Sequence, residues 1–207
     1  MNAIDGVVLA AAYVLGAVPF GLLIGKARGI DIRRHGSGNI GATNVLRVLG
    51  KPLGILTFIL DALKGFVPAF FFVGLAGTFG LPALEPVVLS VLCGAAAILG
   101  HNFPVFLGFR GGKGIATSAG VLIGIAPAAA LTGVVAWVVV FFTLRYVSLA
   151  SIIAAGAVAA SGWWWYRDGT PVLPVVLTVL GGLAIVRHQE NIKRLLAGTE
   201  SRFKRKS

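Results

Sequence analysis

The chain has 207 residues, of which 57% are hydrophobic and 12% are charged, and its mean hydropathy is +0.92. This composition leaves too little polar surface to cover a water-soluble globule of this size, so it predicts an integral membrane protein. The net charge of +11 would suit a nucleic-acid partner, but the basic residues are distributed as in a membrane protein, and we expect no nucleic-acid partner.

Long apolar runs predict the membrane crossings, because a helix needs about 20 apolar residues to cross the hydrocarbon. The runs do not alternate polar and apolar residues as barrel strands would, which favours a helix bundle. The run 115–144 is long for one crossing, and Pro127 followed by three alanines predicts a turn at 126–130. Splitting it gives seven spans, at 4–25, 53–77, 83–100, 115–127, 130–145, 148–165 and 171–187.

Lysine and arginine decide the orientation. With seven spans, all of the 18 basic residues except Lys64 and Arg167 fall on one side, whereas an unsplit fourth run divides them almost evenly. Basic residues favour the cytoplasmic side, so the N-terminus is predicted outside and the C-terminus in the cytoplasm. No basic residue precedes the first run, which predicts a retained span and not a cleaved signal peptide. Residues 1–207 are thus expected to form a single polytopic domain, a compact all-α bundle of seven transmembrane helices, some of them short.

The first informative polar segment is Gly36–Arg47, which lies between two apolar runs. Its glycines predict a bendable loop, and its hydroxyls, carboxamides and arginine are hydrogen-bond donors for a polyoxygenated anion. An arginine there suits bidentate phosphate binding, although snorkelling to lipid headgroups is an alternative. For the smaller residues the alternative is capping or turn formation. The candidates are Ser37, Asn39, Thr43, Asn44 and Arg47.

Asp61 and Lys64, inside the second span, are three residues apart and therefore neighbours on a helix. We expect them to pair. Charges at that depth are costly, so the pair has either a structural or a substrate-facing role, and the sequence does not separate the two.

The second polar segment, Gly100–Thr117, contains Gly111, Gly112, Lys113 and Gly114 immediately before the fourth span. Free backbone N–H groups, the positive end of a helix and a lysine would coincide there, which predicts a phosphate site. It is not a Walker A loop, because the earlier glycine and the Ser/Thr after the lysine are missing. A flexible turn with a snorkelling lysine is the alternative.

The third polar segment is Arg187–Glu200. If the last span continues through it as a helix, His188, Asn191 and either Arg194 or Leu195 share one face. The histidine is a candidate general base, and a solvated interfacial histidine is the alternative. With seven spans all three polar segments lie at cytoplasmic ends, so we expect them to contribute to one site.

The residue types in these segments exclude several chemistries. They hold no carboxylate pair and no cluster of metal ligands, which disfavours hydrolysis by paired acids or zinc, and we expect neither a metal nor a cofactor. No histidine is followed five positions later by an aspartate, which removes acyl transfer by a His-Asp pair.

The motifs themselves resemble those of a known family. Gly-Ser-Gly-Asn-Ile-Gly-Ala-Thr-Asn with Arg47, Gly-His-Asn-Phe-Pro with Gly-Gly-Lys-Gly, and Arg-His-Gln-Glu-Asn-Ile-Lys-Arg-Leu with Gly198 and Glu200 are similar to the three motifs of PlsY, the bacterial acyl-phosphate:glycerol-3-phosphate acyltransferase family. The resemblance implies acyl transfer from a fatty acyl phosphate to the 1-hydroxyl of sn-glycerol 3-phosphate. The products would be phosphate and lysophosphatidic acid, made by a monomer in the bacterial cytoplasmic membrane as the first acylation of phospholipid synthesis.

The resemblance also implies roles for the candidates. The four residues Gly111, Gly112, Lys113 and Gly114 would hold the phosphate of glycerol 3-phosphate, and Ser37 and Arg47 a phosphate or the developing oxyanion. Asn39, Thr43 and Asn44 would shape the first loop. His188 and Asn191 would orient the attacking hydroxyl, and either His188 or the leaving phosphate would accept its proton.

Two other classes of protein fit parts of the sequence. A small anion transporter would also bring polar loops to helix ends, but no inverted repeat is visible. A lipid-surface scaffold would use the basic tail at residues 202–206, and would leave the three motifs without a role.

Overall fold

The computed structural model describes residues 1–80, 82–169 and 171–203. Over these ranges the chain is helical and forms no strand, which confirms the predicted all-α class. Ten α-helices follow one another there: α1 (Ala3–Ala17), α2 (Phe20–Ala27), α3 (Ala42–Leu49), α4 (Lys51–Phe79), α5 (Pro86–Asn102), α6 (Ile115–Ile125), α7 (Pro127–Leu144), α8 (Val147–Trp165), α9 (Val172–Val186) and α10 (Gln189–Leu196).

Five helical segments within the described ranges are long and apolar enough to cross a membrane, and α9 with α10 makes a sixth if this bent pair is one span. Each predicted span coincides with a helix or a helix pair, but α6 has only 11 residues. At about 1.5 Å per residue it is about 16 Å long, roughly half the thickness of the hydrocarbon. Seven crossings and the predicted orientation therefore stay predictions.

The structure refines one predicted element and corrects another. The run 4–25 is not one helix, because the chain leaves helical geometry at Val18, directly before Pro19, and resumes it in α2. The loop predicted over residues 36–47 ends at Gly41, and its second half forms α3. The predicted break of the fourth run is confirmed, at the single residue Ala126.

Helices of residues 1–125 form the first of two units, and α4 is its centre. It packs against α1, α3, α5 and α6, while α5 also packs along α1. A Cβ atom at Gly120 of α6 would overlap the carbonyl oxygen of Ala62, so the two backbones are in close contact. This contact holds α6 against α4, and the glycine-rich segment directly precedes α6.

The second unit comprises residues 126 onward and is described to Phe203. In it α8 packs against α7 and α9, and α10 contacts α8. Residues 202 and 203 return to the turn between α7 and α8, where the N–H of Phe203 donates to the carbonyl of Arg145 at 3.0 Å.

Candidate functional site

The first polar segment is organised by Asn44, whose side chain is buried at 1% exposure. Its amide nitrogen donates to the carbonyl oxygens of Ile32, His35 and Asn39 at 2.8–3.1 Å. Its oxygen accepts the N–H of Ser37 at 2.8 Å. Both ends of the carboxamide are thus engaged by the loop backbone, so Asn44 has the contacts of a residue that shapes the loop.

The other candidates of this segment surround that centre. Asn39 accepts the N–H of Gly41 through its side-chain oxygen at 2.8 Å, which sets the turn before α3. Ser37 is exposed on the loop, Arg47 is exposed in the last turn of α3, and Thr43 is half-buried in its first turn. A cluster of buried apolar side chains holds the segment in place, formed by Leu22, Ile32, Ile40 and Val45.

We predict that Asn44→Asp opens this loop. Aspartate keeps the shape but has no N–H, so the three carbonyl oxygens lose their donor and face a carboxylate, and each buried group left unsatisfied costs about 1–3 kcal/mol. Trypsin cleavage after the exposed Arg33 and Arg34 should accelerate by about tenfold or more in detergent. Asn39→Asp is the matched control, because the bond at Asn39 uses the side-chain oxygen, and faster cleavage in that variant would contradict the assignment.

The glycine-rich segment lies against the C-terminal end of α5. The N–H of Gly111 donates to the carbonyl of Asn102 and the N–H of Gly112 to that of His101, both at 3.1 Å. The expectation that these two amides are free for an anion is therefore wrong, because they satisfy the last carbonyls of α5. These two hydrogen bonds fix the segment against α5, directly before Lys113 and the start of α6.

Two glycines are needed in this segment for different reasons. A Cβ atom at Gly112 would overlap Nε2 of His101, so the backbone passes directly over the imidazole. Gly114 has φ +80°, a left-handed conformation, and a Cβ atom there would lie 2.7 Å from Oδ1 of Asn102. The carbonyl of Gly114 accepts the N–H of Ser118, and α6 begins at Ile115, two residues after Lys113.

The third segment is not a straight continuation of the last span. Helices α9 and α10 are bent by 55°, and His188 occupies the N-cap of α10 at the bend. The His188 ring is buried, and its Nδ1 lies 2.8 Å from the carbonyl oxygen of Ala184. A carbonyl can only accept, so Nδ1 carries the proton, and in the neutral ring Nε2 holds the lone pair that a general base needs.

Glu200 received no individual role from the sequence, but it connects several residues of the third segment. Its carboxylate is buried at 9% exposure, and its Oε1 accepts from Ser148 and from Asn191, each at 2.7 Å. Its Oε2 pairs with Arg194 at 2.7 Å. Asn191 and Arg194, which were predicted to lie on one face, therefore both donate to the carboxylate of Glu200. The signals in the sequence were its place in the third motif and its position as one of two acidic residues, with Glu190, in a basic C-terminal stretch.

The contacts of Glu200 lower its pKa below the ordinary value of 4.5. Burial opposes the charge, but hydrogen bonds from Ser148, Arg194 and Asn191 outweigh that cost. Because the pKa is lower in the folded protein than in the unfolded chain, the ionised group stabilises the fold above about pH 4.5. That contribution is lost as the pH falls through the lowered pKa.

We predict that Glu200→Gln lowers Tm at pH 7 by several degrees, because about 1 kcal/mol corresponds to about 2–4 °C in a chain of this size. The difference in Tm between the variant and the parent should stay constant above pH 4.5 and become smaller below it, as measured by thermal unfolding in detergent. Glu190→Gln is the control, because Glu190 is 63% exposed and its pair with Lys193 is a surface contact. A Tm difference that is unchanged down to pH 3 would contradict the assignment.

Comparisons with known proteins bear on the chemistry. The profile of the glycerol-3-phosphate acyltransferase family matches residues 6–198. The glycerol-3-phosphate acyltransferase of Aquifex aeolicus is 46% identical over 93% of this chain and 95% of its own, and that of Geobacter metallireducens is 48% identical over 97% and 98%. A crystal structure of PlsY, an integral membrane glycerol 3-phosphate acyltransferase, in its glycerol 3-phosphate form has a TM-score of 0.85 and 42% identity, and covers 97% of this chain and 96% of that one. Its lysophosphatidic acid form has a TM-score of 0.81 and 43% identity, over 97% and 95%.

Proposed function

Because this chain belongs to the glycerol-3-phosphate acyltransferase family, we propose that it transfers the acyl group of a fatty acyl phosphate to the 1-hydroxyl of sn-glycerol 3-phosphate. The protein is an integral membrane acyltransferase of phospholipid synthesis, and glycerol 3-phosphate is its acceptor. The observation that carries this is the family match over residues 6–198. The acyl phosphate donor, the residue roles and the side of the membrane are our proposals.

The phosphate of glycerol 3-phosphate is bound at the start of α6 in this proposal. The side chain of Lys113 and the amides of the first turn of α6 supply positive charge and donors at the positive end of the helix dipole. Gly111 and Gly112 contribute by holding this segment on α5, and Gly114 by letting the chain turn into the helix. The contacts of these glycines support a structural role for them, and we assign the direct contact with the phosphate to Lys113.

Ser37 and Arg47 hold the second phosphate or the oxyanion that forms on the acyl carbonyl. A guanidinium binds phosphate through two parallel hydrogen bonds, so Arg47→Lys is not conservative here. Asn39, Thr43 and Asn44 keep the loop that carries Ser37 in shape. The four hydrogen bonds of Asn44 support that role.

The reaction forms one ester bond and breaks one anhydride bond. The 1-hydroxyl oxygen attacks the acyl carbon, the proton passes to Nε2 of His188, and the bond from the acyl carbon to the phosphate oxygen then breaks. An acyl phosphate is an activated mixed anhydride, so orientation and oxyanion stabilisation supply most of the catalysis without a covalent acyl-enzyme. Asn191 orients the hydroxyl, and its bond to Glu200 supports a fixed position for its amide.

The active face is the cytoplasmic side of the bacterial inner membrane, and the working unit is a monomer. The distribution of basic residues supports the side, because all of the 18 except Lys64 and Arg167 fall together when seven spans are drawn. Membrane lipid surrounds the helices, whose many exposed apolar side chains suit that environment.

Purified protein in detergent tests the proposal. With glycerol 3-phosphate and palmitoyl phosphate we expect lysophosphatidic acid and inorganic phosphate in equal amounts, unaffected by excess EDTA. With palmitoyl-CoA in place of palmitoyl phosphate we expect no product. Product from palmitoyl-CoA alone would overturn the donor assignment. Because detergent leaves no sealed vesicle, transport cannot be observed under these conditions. Formation of lysophosphatidic acid would therefore distinguish an acyltransferase from a transporter.

A further inference from the structure

A buried network connects α4 to the glycine-rich segment. Asp61 and Lys64 lie on α4 at about 2% exposure, and the predicted pairing is confirmed, with Nζ 2.8 Å from Oδ1. Lys64 also donates to the carbonyl of Val18 at 2.7 Å, in the break between α1 and α2. A buried ion pair is weak evidence for stability, because desolvation offsets the attraction, so its presence at this depth calls for a functional reason.

His101 connects this pair to the loop. Its Nδ1 lies 3.7 Å from Oδ1 of Asp61, and both side chains are buried. On the other side of the ring, Nε2 lies directly against Gly112, where a Cβ atom would overlap it. The carbonyl of His101 accepts the N–H of the same Gly112 at 3.1 Å. The imidazole ring and the backbone carbonyl of His101 thus both hold Gly112, the residue directly before Lys113.

We propose that Asp61 and His101 are positioning residues for glycerol 3-phosphate. The carboxylate of Asp61 orients the imidazole, the imidazole fixes Gly112, and Gly112 sets where Lys113 meets the phosphate. Lys64 neutralises Asp61 and anchors it to Val18. This inference rests on the proposed function, and it assigns the ion pair of α4 to substrate affinity.

The double variant Asp61→Asn with Lys64→Met tests the proposal, because it removes both charges and leaves neither buried without its partner. We expect KM for glycerol 3-phosphate to rise about tenfold, while kcat and the KM for palmitoyl phosphate stay within about threefold. A group that positions a binding residue changes uniform binding, and uniform binding appears in KM. Tm in detergent should stay close to that of the parent.

His101→Asn approaches the same connection from the loop side without disturbing a charge pair, and it should give the same selective rise in KM. Thr57→Val is the matched control, since Thr57 is buried on α4 and its hydroxyl donates to the carbonyl of Leu53 within the same helix. Unchanged KM in the double variant, or equal losses for both substrates, would overturn the proposal. If neither the double variant nor His101→Asn folds, the network serves the stability of the fold, and the proposal is overturned as well. A parent that makes no lysophosphatidic acid would instead refute the proposed function.

Discussion

His188→Gln is expected to lower kcat by about 10²–10⁴-fold, the usual contribution of a general base. The hydrogen bond from Nδ1 to Ala184 fixes the tautomer that leaves the lone pair on Nε2. Glutamine retains an N–H for that carbonyl but has no basic nitrogen. The fold should therefore persist while proton transfer is lost. The measurement is kcat with both substrates saturating, together with Tm of each protein.

His35→Gln is the matched control for this variant. His35 makes the same kind of bond, from Nδ1 to the carbonyl of Asp31 at 3.0 Å, but it is exposed and we assign it no part in the reaction. Its kcat should equal that of the parent. If His188→Gln keeps most of its kcat with both KM values intact, the leaving phosphate accepts the proton and His188 is not the base.

Gly112→Ala is the second change with a large expected effect. The added methyl group would overlap the His101 ring, so either the ring or the loop must move. Overpacking of this kind costs about 1–3 kcal/mol. If the loop moves, kcat/KM for glycerol 3-phosphate should fall by about 10–100-fold, because about 1.4 kcal/mol is tenfold. Steady-state kinetics with varied glycerol 3-phosphate measures this.

Gly74→Ala provides the control. Gly74 lies on α4 in the same unit, and a Cβ atom there would meet nothing within 4 Å. Its kinetics should match those of the parent, and its stability should be equal or slightly higher, since alanine favours helix by up to about 1 kcal/mol. Unchanged kinetics in Gly112→Ala would show that the loop tolerates a side chain over His101 and would contradict its assigned position.

Hydropathy was sufficient to predict the helical membrane class. A helix that crosses lipid needs a long apolar run, and such runs, without polar–apolar alternation, are recognisable in the sequence. The break at Ala126 was predictable from Pro127. The helix α3 was not, because the segment that leads into it is rich in glycine and asparagine and is typical of a loop. Val45 of α3 packs with Leu22 and Ile32 in a buried cluster that the sequence does not reveal.

The sequence indicates the residue types of the candidate site but not the contacts between them. The Gly-Gly-Lys-Gly run indicates an anion site, yet nothing in the sequence tells that the first two amides bond to α5. Glu200 became the partner of Asn191 and Arg194 only through the turn that follows α10, where Gly198 has φ +69°. Such pairings depend on tertiary geometry, which the spacing of residues does not encode.

Cysteine labelling tests the central claim, that all three polar segments open to the cytoplasm. Cys93, the single cysteine of the chain, is buried and is replaced by alanine. Single cysteines are then placed at the exposed positions Arg34, Arg110 and Glu190, and at Asp168, which is 92% exposed in the turn after α8. In sealed inside-out vesicles, a membrane-impermeant thiol reagent should label the first three and spare the fourth. Labelling of any of the three only from the periplasmic side would contradict the account.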